Sequence, residues 1–135
     1  MFRGGVSVAA GDIDGDGRIE IVTGPGYGGA PHIRAFTADG RLIISGFFAY
    51  DTTFRGGVNV ACADVNNDGI DEIITAPGRT GGPHIKVFNN KGRLLYQDFF
   101  AFNSQNTSGV LVSGCDIDRD GKEEILAQTA DLFGL

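Results

Sequence analysis

The sequence predicts an all-β chain built from repeated four-stranded antiparallel units, on three observations. Residues 2–53 and 54–105 align without a gap and share 26 of 52 positions, and a third copy begins near Ser108 and runs to Leu135. One acidic loop recurs in all three copies, each time 52 residues on: Asp12-Ile-Asp14-Gly-Asp16-Gly17-Arg18-Ile-Glu20, Asp64-Val-Asn66-Asn-Asp68-Gly69-Ile70-Asp-Glu72 and Asp116-Ile-Asp118-Arg-Asp120-Gly121-Lys122-Glu-Glu124. Short β-branched runs separated by an unusually large number of glycines, 22 in 135 residues, call for strands joined by tight turns. Repeats of this length mark propellers and solenoids, and four short strands per unit make a propeller blade. The expected fold is therefore all-β: β-propeller blades of four antiparallel strands, about two and a half per chain, in one repeat array over 1–135. Blade 1 takes 2–53, blade 2 takes 54–105, and a partial blade 3 takes 106–135.

Within the first unit the elements follow in order. Strand A is Val6 to Ala10, poor in bulky side chains, which suits a crowded innermost strand. The acidic loop leads to strand B, Glu20 to Thr23. The glycine loop 24–31 then enters strand C, His32 to Thr37, which turns at Ala38-Asp39-Gly40 into strand D, Leu42 to Ala49. The second unit repeats this pattern down to Phe99-Phe100-Ala101-Phe102. Phe36, Phe47 and Phe48, with their counterparts Phe88, Phe99 and Phe100, are expected to fill the space between blades. The third unit stops after strand B. Closed propellers have about four to eight blades, and bare blade faces associate. Ring closure is therefore expected only by oligomerisation or with further sequence, and a homo-oligomer is the expected partner state.

The acidic loop has the chemistry of a calcium site. Calcium takes six to eight oxygen ligands in flexible geometry. Side-chain oxygens at loop positions 1, 3 and 5 can turn inward: Asp12, Asp14 and Asp16; Asp64, Asn66 and Asp68; Asp116, Asp118 and Asp120. Glycine at position 6 permits the sharp turn. The backbone carbonyl at position 7 (Arg18, Ile70, Lys122) and the acid at position 9 (Glu20, Glu72, Glu124) complete each set. About three Ca²⁺ per chain are expected, with the Asn66 site weakest because it carries one charge less. An EF-hand needs a bidentate Glu at position 12 and flanking helices. Position 12 here is Thr23, Thr75 or Ala127, and the flanks read as strands. Repeated Asp-Gly pairs also make ordinary turns, yet carboxylates crowded at the same offsets three times over repel one another without a cation.

Charge supports this reading. The predicted ligand positions hold eleven of the seventeen acids, and three divalent ions balance the formal net charge of −6. The acidity argues against nucleic-acid binding, which wants a basic stripe. No apolar stretch approaches a membrane span, and the N-terminus does not read as a signal peptide. Cys62 and Cys115 occupy non-equivalent repeat positions, so a disulfide is not expected; both read as small buried residues at strand ends. The glycine loops precede a proline and a strand rather than a helix N-terminus, which disfavours a phosphate cradle. His32 and His84 open strand C in both full units and read as residues that hydrogen-bond the adjacent Gly-Pro loop. Ser104, Ser108 and Ser113 have no His or acid partner at a recognisable spacing, so no catalytic residues are assigned.

These residues carry a resemblance. The Asp-x-Asp/Asn-x-Asp-Gly-x-x-acid loop, with Gly-Pro-His-Ile-Arg/Lys-Ala/Val-Phe and Phe-Phe-Ala-Tyr/Phe at set distances after it, resembles the FG-GAP/VCBS repeats. These are related to the calcium-binding blades of the integrin α-subunit propeller. The resemblance covers nearly the whole chain. It implies a calcium-stabilised propeller, extracellular or at the cell surface, with a scaffolding or adhesion-type role toward a protein or glycan ligand and no catalysis of its own. Position 9 is usually Asp in that loop and is Glu here every time. Two alternatives stand beside it. One is part of a propeller enzyme of phosphatase or polysaccharide lyase type, which would need a cluster of basic, Tyr or His residues. The other is an engineered or excised propeller fragment that self-assembles.

Overall fold

Short β-branched runs bounded by glycine, proline and acidic turns form ten strands in the computed structural model, which describes residues 1–130. They are β1 (Val6–Gly11), β2 (Glu20–Pro25), β3 (His32–Thr37), β4 (Leu42–Phe48), β5 (Val58–Ala63), β6 (Glu72–Pro77), β7 (His84–Phe88), β8 (Phe99–Phe100), β9 (Val110–Cys115) and β10 (Glu124–Thr129). Hydrogen bonding orders them as two four-stranded antiparallel sheets, β1-β2-β3-β4 and β5-β6-β7-β8, and a two-stranded sheet of β9 and β10. No helix occurs among the described residues. This is the expected arrangement of two blades and the first half of a third; strands A and B run one and two residues further than the sequence suggested. Of the C-terminal tail, 131–135 lie outside the described residues.

Blades stack through their innermost strands. One apolar cluster joins blade 1 to blade 2 through Val22, Ile33, Ala35, Val58, Val60, Ile73 and Phe88. A second joins blade 2 to blade 3 through Ala61, Ala63, Ile74, Ile85, Val87 and Val110. The middle blade is thus covered on both sides. Every residue of β6 is buried, whereas its counterpart β2 alternates buried and half-buried. The outer faces show the reverse. Val6 and Val8 are each 61 % exposed where Val58 and Val60 are 2 % and 6 % exposed, and Leu126 is 40 % exposed where Val22 and Ile74 are fully buried.

Polar bonds fix the stacking register. Ser7 Oγ accepts from the Val60 amide at 3.1 Å, and at the next junction the side-chain amide of Asn59, the residue equivalent to Ser7, donates to the Val110 carbonyl at 2.6 Å. The glycine loops reach across as well: the Gly28 amide donates to the Arg55 carbonyl, and Thr80 to Thr107, at the same repeat offset. A Cβ at Gly26 would collide with the Gly4 carbonyl oxygen, and one at Gly78 with that of Gly56, so only glycine lets the segment after β2 or β6 lie so close to the one before β1 or β5. Tyr50 adds a further link, its hydroxyl donating to the His84 carbonyl at 2.7 Å beneath the ammonium of Lys86.

The aromatic expectation needs correction. Only Phe47 and Phe88 meet across the first junction, with ring centroids 4.8 Å apart. Phe36 is half-buried outside both clusters, and Phe48, Phe99 and Phe100 are about half exposed. Phe48 and Phe100 each lie against the histidine that opens strand C. The position equivalent to Phe88 one repeat after it, which Phe99 would need, lies past residue 135. Branched aliphatic residues fill the junctions instead.

Strand D of blade 2 also departs from expectation, shrinking to β8 and an isolated bridge between Phe88 and Leu94. In blade 1 the strand passes through Gly46 at φ 128°, a conformation that costs any residue with a side chain. The equivalent residue is Asp98, which leaves the ladder and pairs its carboxylate with His84 Nε2 at 2.7 Å.

Burial at equivalent positions yields a direct test. Val58→Ala should cost about 2 kcal/mol, the usual scale for emptying a packed aliphatic site. Val6→Ala should stay within about 0.5 kcal/mol, as expected of an exposed substitution. Urea denaturation midpoints of the two variants check the difference.

Candidate metal centre

The loop between β1 and β2 is shaped by its first residue. Asp12 Oδ1 accepts from the amides of Gly15 (2.8 Å) and Asp16 (3.1 Å), and its Oδ2 accepts from Gly17 (2.8 Å). Asp64 grips Asp68 and Gly69, and Asp116 grips Asp120 and Gly121, in the same way. Position 3 then accepts from the position 5 amide, and position 5 from the position 7 amide, in the first loop at 3.1 and 2.8 Å. This ladder of side-chain to backbone bonds winds the chain around a common centre. It requires left-handed backbone at position 6, supplied by Gly17 (φ 83°), Gly69 (84°) and Gly121 (92°). Position 4 is left-handed too: Gly15 (79°), Asn67 (60°) and Arg119 (65°).

Position 9 closes the loop from the opposite strand. Glu20 Oε2 accepts from the Ile13 amide at 3.1 Å, Glu72 from Val65 at 3.0 Å and Glu124 from Ile117 at 2.9 Å. The extra methylene of Glu relative to Asp lets the carboxylate cross the loop to position 2, and in the first and third loops its other oxygen stays available. Ile13 is itself fully buried and anchors the first loop in the inter-blade core.

The result is a convergence of charge. Asp12, Asp14 and Glu20 each offer an oxygen within 4.8 Å of one another, and so do Asp116, Asp118 and Glu124. Glu20 and Glu72 are only 2 % and 3 % exposed. Burial, and secondarily the neighbouring aspartates, push the Glu20 carboxyl above its ordinary value; burial pushes Glu72 up to about 7. Buried carboxylates held against like charges, with oxygen donors alone around them, fit a hard divalent cation. Asp16 and Asp120 lie outside these three-residue groups.

The second loop differs in one atom. Asn66 Oδ1 accepts from the Asp68 amide at 2.9 Å, as the aspartates at position 3 do, but its amide nitrogen donates to Glu72 Oε1 at 3.2 Å. The first and third loops present a carboxylate oxygen at that point. The second loop therefore neutralises part of its own charge.

Two residues escaped the sequence reading. Asp71 Oδ2 accepts from the Asp12 amide at 3.0 Å, and the Asp71 amide donates to the Asp12 carbonyl at 2.8 Å. Glu123 does the same to Asp64, at 2.7 and 2.9 Å. Position 8 has no partner within its own hairpin; the adjacent blade is what gives it one. The cysteines also part company. Cys62 packs on the first cluster, and burial pushes its thiol up to about 12. Cys115 is exposed rather than buried, and both thiols are free. His32 and His84 bond the preceding loop only through their backbone amides, to Ala30 and Gly82; their rings face Phe48 and Phe100.

Two outcomes follow from this geometry. Arg119→Gly removes the penalty of a left-handed non-glycine residue and should stabilise by about 0.5–1 kcal/mol, raising the melting temperature by a few degrees. In chelator, Glu72 holds its proton more tightly folded than unfolded. Its stabilising contribution is therefore present below about pH 4.5 and is lost as pH rises toward 7. Thermal melts of the cation-free protein should drop across pH 4.5–7, and Glu72→Gln should flatten that slope.

The FG-GAP-like repeat family matches this chain twice, at residues 12–75 and 64–127, each match running from one acidic loop through the next. Cartilage acidic protein 1 of Xenopus tropicalis is 33 % identical over 73 residues, covering 49 % of this chain and 11 % of that protein. Integrin alpha-8 of Mus musculus is 27 % identical over 139 aligned positions, covering 90 % of this chain. The chain spans only 11 % and 13 % of the length of these two relatives. With its repeated blades, its strand-flanked acidic loops and a double match over most of its length, the chain belongs to the FG-GAP-like repeat family.

Proposed function

We propose that this chain is a calcium-binding β-propeller repeat module with a structural, scaffolding or adhesion-type role and no catalysis of its own. The observation that carries the reading is the convergence of Asp12, Asp14 and Glu20, and of Asp116, Asp118 and Glu124, at the mouth of each hairpin. Asp16 and Asp120 and the carbonyls of Arg18 and Lys122 would complete those two shells. Asp64, Asn66, Asp68, Glu72 and the Ile70 carbonyl would form the second. There a cation must compete with the amide of Asn66 for Glu72, so it binds most weakly. A bound ion supplies positive charge that lets each loop keep its carboxylates ionised and together. Calcium suits the flexible all-oxygen donor set better than magnesium, which demands octahedral geometry, or zinc, which favours nitrogen and sulfur.

The role is placed outside the cell or at its surface, where millimolar calcium fills modest sites. The integrin alpha-8 and cartilage acidic protein 1 relatives support that placement; the ligand it would meet there is a protein or glycan. The exposed Val6 and Val8 on one outer face, and Leu111 and Leu126 on the other, favour association of blades between copies. The His84–Asp98 pair beside a cavity of about 250 Å³ is the feature closest to an enzymatic reading. That cavity is walled by Tyr50, Phe54 and Phe100, with no Ser, Cys or Lys nucleophile along it.

Calcium titration by calorimetry should give three equivalents, the weakest lost or strengthened by changes at Asn66. Melting temperature should rise with calcium and fall with EDTA; at one hundred times the dissociation constant each site adds about 2.7 kcal/mol. Asp12→Ala should remove one equivalent and destabilise blade 1. A melt indifferent to EDTA contradicts the proposal. Light scattering with and without calcium reads the association state, where a monomer under both conditions removes the self-assembly arm.

A further inference from the structure

We infer that the acid at loop position 8, Asp71 in the second loop and Glu123 in the third, is a positioning residue that clamps the preceding blade's cation loop and couples consecutive loops. The inference rests on the calcium reading above for its coupling arm; the clamp itself rests on hydrogen bonds.

Asp71 meets Asp12 twice. Its carboxylate takes the Asp12 amide and its own amide gives to the Asp12 carbonyl, so the backbone of Asp12 is held on both sides. Glu123 holds Asp64 by the same two bonds. Both contacts join residues 59 apart, one repeat plus the step from position 1 to position 8. Two different side-chain lengths arrive at one geometry, which marks the carboxylate as the needed group. Asp12 is the residue whose two oxygens organise the first loop, so fixing its backbone fixes where those oxygens point.

The clamp's own neighbours make the coupling. Asp71 sits between Ile70, whose carbonyl is a proposed ligand of the second loop, and Glu72, whose carboxylate is another. A cation that orders 70–72 therefore orders the group that holds Asp12. The fit has room for little else: a Cβ at Gly11 would strike the Asp71 carboxylate and the Cβ of Cys62. The first loop carries Ile19 at position 8, 52 % exposed. It has no carboxylate to offer a blade laid against β1, so the grip runs in one direction along the array.

The test follows each loop separately by ¹⁵N NMR, at the amides of Gly17, Gly69 and Gly121, during calcium titration. Removing a group that orients a ligand commonly weakens metal binding about 10–100-fold. Asp71→Leu should weaken binding at the Gly17 loop about tenfold or more and leave the Gly121 loop within twofold. Asp71→Glu should restore it, since Glu serves this position in the third loop; a merely space-filling role would not distinguish Leu from Glu in this loop-specific way. Glu123→Leu should act in parallel on the Gly69 loop, and it keeps the test open if Asp71→Leu does not fold. Hydrogen exchange in EDTA reads the clamp without any cation: the Asp12 amide should exchange at least tenfold faster in Asp71→Leu. Unchanged exchange at Asp12 overturns the clamp. Faster exchange with unchanged Gly17 affinity overturns the coupling. Glycine amides of the parent protein that ignore calcium overturn the calcium reading on which the coupling depends.

Discussion

Three carboxylates held within 4.8 Å of one another are the constraint on which the rest of the molecule depends. Such a group is unstable alone, and each structural layer offsets part of that cost. The backbone amides of the turn donate into the position 1 aspartate. The position 2 amide donates into the position 9 glutamate. The Ile13 side chain anchors the turn in the apolar junction below. The hairpin, the blade and the stack are thus organised around the same concentration of negative charge, with a divalent cation as the proposed remaining counterweight.

The three loops are variations on that balance. Where position 3 is Asp, the charge stays uncompensated within the chain; where it is Asn66, the amide answers Glu72 directly. Position 4 shows a parallel gradation from Gly15 through Asn67 to Arg119 in one left-handed conformation, an order of rising backbone cost. The same conformation persists across these changes because the Asp12, Asp64 and Asp116 side chains impose it from position 1. Within the loop, positions 1, 5, 6 and 9 are identical in all three copies, while position 4 varies.

Much of this was legible in the sequence because it is local. The 52-residue period, the strand–loop–strand grammar, and strands A to C followed from spacing and side-chain type. What was not legible depends on which blade faces which. Val6 and Val58 are the same residue in the same pattern, yet one is solvated and the other buried. Phe48, Phe99 and Phe100 read as core because aromatic residues at strand ends usually are; Phe48 and Phe100 lie instead against His32 and His84, and Phe99 has no counterpart of the Phe88 that covers Phe47. The short β8 accompanies the exchange of Gly46, at φ 128°, for Asp98, a difference that needs backbone dihedrals to see. Cys115 shares the exposed face of β9 with Leu111 and Ser113, which the strand pattern alone does not reveal. Asp71 and Glu123 drew no assignment, since their partners, Asp12 and Asp64, lie in the preceding loop 59 residues away.

The Asp71–Asp12 and Glu123–Asp64 contacts also change what counts as one module. A piece cut at the boundaries of the aligned repeats, 2–53 or 54–105, severs a clamp at its end and carries an acceptor without its holder. The segment that keeps both partners of a clamp together is out of phase with the blade: it runs from one acidic loop through the next. A joint in strands C or D parts one clamp, so a segment exchanged there keeps the loop geometry only where it brings an acid at position 8 and meets an aspartate at position 1.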